Sequence, residues 1–310
     1  MSNTVLKLPE ESLLQIIKHY SNNQIPAKAP YIRFTAKLPD TVITVYNSKK
    51  VMFQGAGAER EALKWGDVSG PITKAVSTKG DVLPPDFAKL SVIGSDETGT
   101  GDFFGPITVA ACYVPADKVA LAHELGAKDS KLLSDDAMRK IAPDLKEAFV
   151  HSVLTLKNAK YNAVQSHGWS QGKMKAMLHN QAIKHVLRKM APEKPDAILI
   201  DQFAERGIYY NHIKGEKEII RENVLFSTKA EGIHVSVACA SIIARVAFLE
   251  EMDLMSAETG ITLPKGAGKI VDEAAAKIIL KHGEDYLKTL SKAHFANTGK
   301  AIGLAGKRRK

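Results

Sequence analysis

Cysteine is scarce in this chain. There are two in 310 residues, Cys112 and Cys239. They form no CxxC pair, which argues against a structural zinc site. Each sits in an apolar run, Val109-Ala-Ala-Cys-Tyr-Val114 and Val235-Ser-Val-Ala-Cys-Ala240. Both are therefore expected to be buried core thiols without a redox role. Long apolar stretches are also missing: none approaches the roughly 20 residues of a membrane span. The start, Met1-Ser-Asn-Thr-Val-Leu-Lys7, lacks the charged head, apolar core and cleavage site of a secretory signal. The expected address is the cytoplasm. What is present is ordinary for a globular protein, 45% hydrophobic and 25% charged, and long enough for two domains.

The formal charge is +9. An excess of this size favours a polyanionic partner, although it is a weak signal by itself. The end, Gly306-Lys-Arg-Arg-Lys310, is a basic tip. It reads as a frayed tail, with an extra phosphate contact as the alternative.

Periodicity divides the chain. Residues 9–20 read as a helix, with Leu13, Leu14, Ile16, Ile17 and Tyr20 on one face and Pro9, Glu10 and Glu11 suited to its first turn. Strand-like runs follow at 31–38, 41–46 and 50–54, separated by Pro39-Asp40 and Asn47-Ser48 turns. Residues 56–65 read as a second helix. This makes residues 1–66 a small α+β domain. Residues 67–86, with scattered Gly and Pro and no sustained period, read as a linker. From residue 87 to 310 strands and helices alternate. Strands are expected at 90–95, 107–114, 150–156 and 197–200. Helices are expected at 116–125, 134–148, 171–190, 234–255, 271–282 and 284–290. That pattern is an α/β domain, a mixed sheet with helices on its faces.

Chemistry concentrates in four carboxylates. Asp96 and Glu97 end an apolar run and lead into Gly99-Thr100-Gly101. Asp201 closes Ala197-Ile-Leu-Ile-Asp201, and Glu231 lies in Ser227-Thr-Lys-Ala-Glu-Gly232. Acids at strand ends converge at one sheet edge, where like charges raise one another's pKa unless a cation neutralises them. Hard oxygen donors suit Mg²⁺ or Mn²⁺ better than zinc. Each acid alone could be a solvated strand end or a plain turn; the joint pattern carries the reading. Side chains alternate along a strand, so Asp96 and Glu97 point to opposite faces unless the strand ends or bulges there. The glycine loop leaves its main chain open to approach. It is no Walker motif, and neither is Lys265-Gly-Ala-Gly-Lys269.

These segments resemble the ribonuclease HIII family, bacterial enzymes that cut the RNA strand of RNA/DNA hybrids. The carriers are Asp96-Glu-Thr-Gly-Thr-Gly-Asp-Phe-Phe-Gly-Pro106, Lys128-Asp-Ser-Lys131, Asp201, Lys229-Ala-Glu231 and Ala240-Ser-Ile-Ile-Ala-Arg245. The related ribonuclease HII has Gly-Arg-Gly in place of Gly99-Thr-Gly101, and Asp in place of Glu231. The resemblance implies a ribonuclease H-like catalytic domain preceded by a TATA-binding-protein-like substrate-binding domain, whose Phe53-Gln-Gly55 matches the family's triplet.

It further implies that Asp96, Glu97, Asp201 and Glu231 are the catalytic, metal-ligating set. Two ions about 3.5–4 Å apart would activate water and stabilise the departing oxygen, leaving 3′-hydroxyl and 5′-phosphate ends. Asp96 would bridge both ions, and Glu97 would hold the one on the leaving side. Gly99, Thr100 and Gly101 would read the ribose 2′-OH through the main chain. Ser130 and Lys131 would hold phosphates. Ser241 and Arg245, four apart on one helix, would face the groove. Arg33, Lys37, Lys49 and Lys50 are available for phosphates, and Tyr31, Phe34 and Phe53 for sugar or base contact. Of His212, His234 and His294, the last reads as a capping or surface residue, with proton transfer or product release as the alternative. The expected protein is a monomer acting on a hybrid duplex. Two rivals remain: a ribonuclease HII-like enzyme nicking single ribonucleotides in DNA, and a hybrid-binding protein without catalysis.

Overall fold

A computed structural model describes residues 3–27, 32–66, 80–128 and 130–308. The chain divides into two compact units, residues 1–77 and 78–310.

The first unit is a four-stranded antiparallel sheet of order β1-β4-β3-β2, with β1 Asn3–Lys7, β2 Ile32–Lys37, β3 Val42–Tyr46 and β4 Lys50–Gln54. Helices α1, Glu10–His19, and α2, Ala58–Ala62, contribute to its core. Alternation assigns the two sheet faces. Phe34, Ala36, Ile43, Val45, Val51 and Phe53 pack with Leu13, Ile16 and Ala58. Thr35, Lys37, Thr44, Tyr46, Met52 and Gln54 line a hollow on the opposite face. This corrects one expectation: Phe34 and Phe53 are core residues and cannot reach a ligand. Tyr31 lies outside the described residues. Arg33 is already paired with Glu10. Strand β1 was not expected; its five residues carry too little pattern to separate from a disordered start. In Phe53-Gln-Gly55 the phenyl fills the core and Gln54 lines the hollow. Gly55 takes φ +126° where its backbone passes Asp40, a conformation that favours glycine.

Of the expected linker, residues 67–79 lie outside the described residues. Residues 80–86 belong to the second unit. Gly80 bridges Ser227, and the Asp81 carboxylate accepts from the Phe226 N–H at 2.8 Å and pairs with Arg206.

The second unit is built on a five-stranded mixed sheet of order β7-β6-β5-β8-β9. The strands are β5 Val92–Thr98, β6 Ile107–Val114, β7 His151–Leu156, β8 Ala197–Asp201 and β9 Val224–Ser227. β5 is antiparallel to β6 and parallel to β8, which is parallel to β9. The helices are α3 Val119–Glu124, α4 Asp135–Ala148, α5 Asn158–Ser166, α6 Gln171–Met190, α7 Arg206–His212, α8 Val235–Thr259, α9 Lys269–His282, α10 Glu284–Leu290 and α11 Ala296–Arg308. α6 packs with one face of the sheet, through Met174, Ile183 and Val186 against Ile93, Val109 and Ile198. α8 and α4 pack with the other, through Cys239, Ile242, Ile243 and Met138 against Ala110, Cys112 and Val114. α8 comes unusually close: a Cβ on Gly94 would collide with the backbone of Ser236 and Val237. Both cysteines are buried here, as expected, and the neighbouring Cys239 thiol first, then burial, push the Cys112 thiol up and keep it protonated. The basic tip is not a frayed tail as far as Arg308, because α11 runs to that residue.

Candidate active site

Three parallel strands, β5, β8 and β9, end on the same side of the sheet, where ligands of open α/β sheets gather. Asp96 and Glu97 lie near the end of β5, Asp201 is the last residue of β8, and Glu231 follows β9. Lys229 adopts a left-handed conformation, φ 59°, which turns the chain so that Glu231 faces back. The Asp201 carboxylate accepts from the Ala230 N–H at 2.9 Å and braces that turn. All four acids line one cavity of about 420 Å³, together with Thr98, Ser130, Lys131, Asp135, Ser241 and Arg245. Size does not identify the site. A cavity of similar volume where β8 and β9 begin is lined by Leu187, Ile198 and Ile219 with Lys194, Arg221 and Glu222, and gathers no cluster of acids.

β5 is regular through Thr98, with Asp96 opposite Ala110 and Glu97 opposite Val109. The two acids therefore point to opposite faces, and no bulge brings them together. On the α8 face, Asp96 is buried, its Oδ1 accepting from the Glu97 N–H at 2.7 Å. Burial raises its pKa well above the ordinary range. Glu97 and Asp201 add to the rise, and a hydrogen bond from Ser241 opposes it. Asp201 is raised too, by burial first and then by Glu97 and Glu231, against the Ala230 N–H. On the α6 face, Glu97 is part-buried, its side chain 13% exposed, and both its oxygens are held. Lys175 Nζ lies at 2.7 Å from one and His179 Nε2 at 2.9 Å from the other. Burial pushes Glu97 up, and His179 and Lys175 more than offset it, so its pKa is lowered. His179 Nδ1 is 2.7 Å from Ser95 Oγ, two residues back on the same face.

The expected substrate residues fall in three groups. Ser130 and Lys131 are at the cavity: the Ser130 N–H and Lys131 Nζ bind the two oxygens of Glu231 at 2.6 and 3.0 Å. Ser241 lies over Asp96 and reaches Ser130 Oγ at 3.1 Å. Arg245 lines the cavity with its guanidinium held by Asp135, at 2.9 and 3.3 Å, a carboxylate also paired with Lys265. Gly99, Thr100 and Gly101 continue from the rim at Thr98 and do not line the cavity themselves. His294 is exposed and stacks on Tyr161 with centroids 5.7 Å apart, away from the acids. His234 caps α8, its Nδ1 accepting from the Ser236 N–H.

Lys175 and His179 were not expected. Their signal was present: with Ala182 and Val186 they recur at helical spacing on the buried stripe of α6, where a lysine has no place unless paired.

The donor set fits hard divalent cations, since the four acids are oxygen ligands that mutually disfavour ionisation. Among the described residues no three Asp, Glu, His or Cys side chains form a ready-made cage. Glu97 and Glu231 are each turned to a lysine.

Acids at the open ends of parallel strands, in this sheet order and beside a lysine and serine loop, define the class of ribonuclease H-like nucleases. Comparison with known proteins sharpens this. The ribonuclease HII family model matches residues 93–298, and a domain of unknown function, DUF3378, matches residues 3–77. Ribonuclease HIII of Lysinibacillus sphaericus is 59% identical over 304 residues, 97% of this chain and 99% of its own. Ribonuclease HIII of Bacillus subtilis is 52% identical over 313 residues, 100% of each chain. The crystal structure of Bst-RNase HIII in complex with Mn²⁺ is 47% identical, with TM-score 0.71, covering 99% of this chain and 100% of that one. The chain belongs to the ribonuclease HIII family.

Proposed function

We propose that this enzyme hydrolyses the RNA strand of RNA/DNA hybrids, using Asp96, Glu97, Asp201 and Glu231 to hold Mg²⁺ or Mn²⁺. The observation that carries the reading is Asp96, a buried carboxylate whose neighbours are other carboxylates. Such a cluster repels a polyanion unless cations join it, so binding alone gives no reason to build it. Divalent ions, when bound, supply Lewis acidity that activates water and stabilises the departing oxygen. The protein contributes placement. Asp201 braces the Glu231 turn, and Lys175 and His179 fix Glu97, while Ser241 lines the cavity beside Asp96. Lys131 and Ser130 stand at the groove where the scissile strand would lie. The open face of the first unit, with Lys37, Tyr46 and Gln54, is assigned to the hybrid duplex. We assign the protein to the cytoplasm as a monomer; no helix of the described residues is long and apolar enough to cross a membrane.

The test uses two labelled duplexes, one with an RNA tract and one with a lone ribonucleotide, each in Mg²⁺ and in Mn²⁺. Cleavage within the tract, leaving 3′-hydroxyl and 5′-phosphate ends, is expected, with poor cutting of the lone ribonucleotide. Thr100 is short and neutral, whereas a junction reader needs a side chain that grips the flanking phosphate. Comparable rates on both duplexes would favour the ribonuclease HII-like reading. No cleavage of either in both metals would leave only binding.

A further inference from the structure

The two glycines of Gly99-Thr100-Gly101 are not equivalent. Gly99 has φ +94°, and a Cβ there would strike the Pro106 carbonyl, so the fold requires glycine. Gly101 is exposed, is not in the left-handed region, and a Cβ on it would meet no atom within 4 Å. Nothing inside the protein asks for glycine at that position.

The backbone around it is anchored from behind. Gly99 O accepts from the Asp102 N–H at 3.3 Å. Thr100 O accepts from Gln171 Nε2 at 3.1 Å. Lys292, fully buried, donates to Asp102 O at 2.7 Å and Gly105 O at 2.6 Å. A trans peptide points its C=O and N–H in opposite directions. Drawing the Gly99 and Thr100 carbonyls into these bonds turns the N–H groups of Thr100 and Gly101 the other way, and within the described residues neither has a protein acceptor. Thr100 Oγ1 is also without a partner. Gln171 is itself fixed. It opens α6 just after the capping Ser170, and its Nε2 also donates to the buried Tyr161 hydroxyl at 2.8 Å.

We propose that Gln171 is a positioning residue for ribose recognition: tied to Tyr161, it sets the Thr100–Gly101 peptide so that its outward N–H meets a 2′-oxygen of the RNA strand. This rests on the glycine loop being the 2′-OH contact, and it adds a residue seventy positions away, outside the motif. Gln171 does not touch the substrate.

The experiment is a four-way cycle on the full-length enzyme. Gln171→Met keeps length and loses the donor. The substrate is an RNA-tract hybrid, all-ribo or with one 2′-fluoro nucleotide, which keeps the A-form pucker but accepts hydrogen bonds poorly. The position is the one where the wild-type enzyme is most sensitive. There the 2′-fluoro group should raise KM about fivefold, the scale of one hydrogen bond. Gln171→Met should raise KM on the all-ribo hybrid by a similar factor, with kcat within about twofold and less than about twofold added by 2′-fluoro. If the two losses multiply instead, Gln171 is only a packing residue and the proposal falls. If the wild type is indifferent to 2′-fluoro at every position, the glycine-loop reading fails, and this proposal with it. Should Gln171→Met not fold, Gln171→Glu, of equal size but with an acceptor facing Thr100 O, is put through the same cycle.

Discussion

Asp96 and Glu97 are neighbours in sequence and opposites in environment. Asp96 faces α8, in a wall of small and apolar side chains, and its ionisable neighbours there are acids. Glu97 faces α6, whose Lys175 and His179 hold both of its oxygens. Both are largely withdrawn from solvent, Asp96 at 6% exposed and the Glu97 side chain at 13%, and that difference is too small to set them apart. The partners do: one carboxylate is pushed toward its neutral form, the other toward its charged form. The same contrast extends along α8, where buried His234 is pushed toward neutrality. One face of the sheet thus holds a carboxylate without a counter-charge, and the other keeps a charge in place.

The largest break in this comparison should come from Asp96→Asn. Removing a ligand charge from the proposed metal site should cut turnover by on the order of a thousandfold or more, with hybrid affinity retained. The same change should raise the melting temperature measured in chelator, because a buried carboxylate among acids is replaced by a neutral amide. The sign follows from proton linkage. The folded state holds the Asp96 proton more tightly than the unfolded chain, so this group costs stability as pH rises through the carboxylate range. Near-normal turnover, or a lower melting temperature in chelator, would contradict the assignment. Asp201→Asn should match it in turnover.

On the other face the expectation reverses. Lys175→Met leaves Glu97 part-buried with one of its two partners, and should destabilise the fold by about 3 kcal/mol, read by urea denaturation in chelator. Adding Glu97→Gln should recover most of that loss, because the unpaired charge is then gone. A loss below about 1 kcal/mol for the single variant would mean that the pair is not a structural tie.

A third test concerns the α8 face alone. The His234 pKa is lowered to about 4, chiefly by burial. Its neutral form therefore belongs to the fold. Its stabilising contribution is full above pH 6.5, where the unfolded chain is also neutral, and is lost as pH falls from there toward 4. The loss should total about 3 kcal/mol. His234→Asn keeps a capping side chain and removes the titration, so its unfolding free energy should vary less with pH across that window. Parallel pH profiles for the two proteins would show that other groups set the slope.

The sequence made much of this legible, and unevenly. Asp96-Glu97 with the glycine loop, α6 and the strands of the glycine hairpin could be read because each has a local signature, an apolar run ended by acids or a long helical period. Asp201 and Glu231, by contrast, have weak local signals and entered only through the joint pattern and the family resemblance. The bonds that set the character of the acids could not be read. Lys175 and His179 reach Glu97 across some eighty residues, and only folding selects them from the chain's many basic side chains. β9 was missed because four residues carry almost no period. α11 was missed because Gly299, Gly303 and Gly306 lower helix propensity, while Asn297, Ala301 and Ala305, four apart, supply the packing that overrides it. Phe34 and Phe53 were misread as ligand contacts because composition does not tell which sheet face is covered.

The smallest effect on the fold should come from the end of the same strand. Gly99 and Gly101 repeat the comparison at the level of backbone. One glycine is demanded by the protein; nothing within the fold demands the other. Gly99→Ala places a Cβ against the Pro106 carbonyl in a left-handed conformation and should cost stability by more than about 1 kcal/mol. Gly101→Ala adds a methyl to open space in an ordinary backbone conformation, so stability should stay within about 0.5 kcal/mol of wild type. If the outward N–H at this position meets the RNA strand, that methyl stands where the ribose must approach. KM for the hybrid should then rise severalfold while melting temperature holds. The measurement pairs thermal denaturation with steady-state kinetics on the RNA-tract duplex. A Gly101→Ala enzyme with wild-type KM would show that the substrate passes this loop at a distance, and that the difference between the two glycines has no functional meaning.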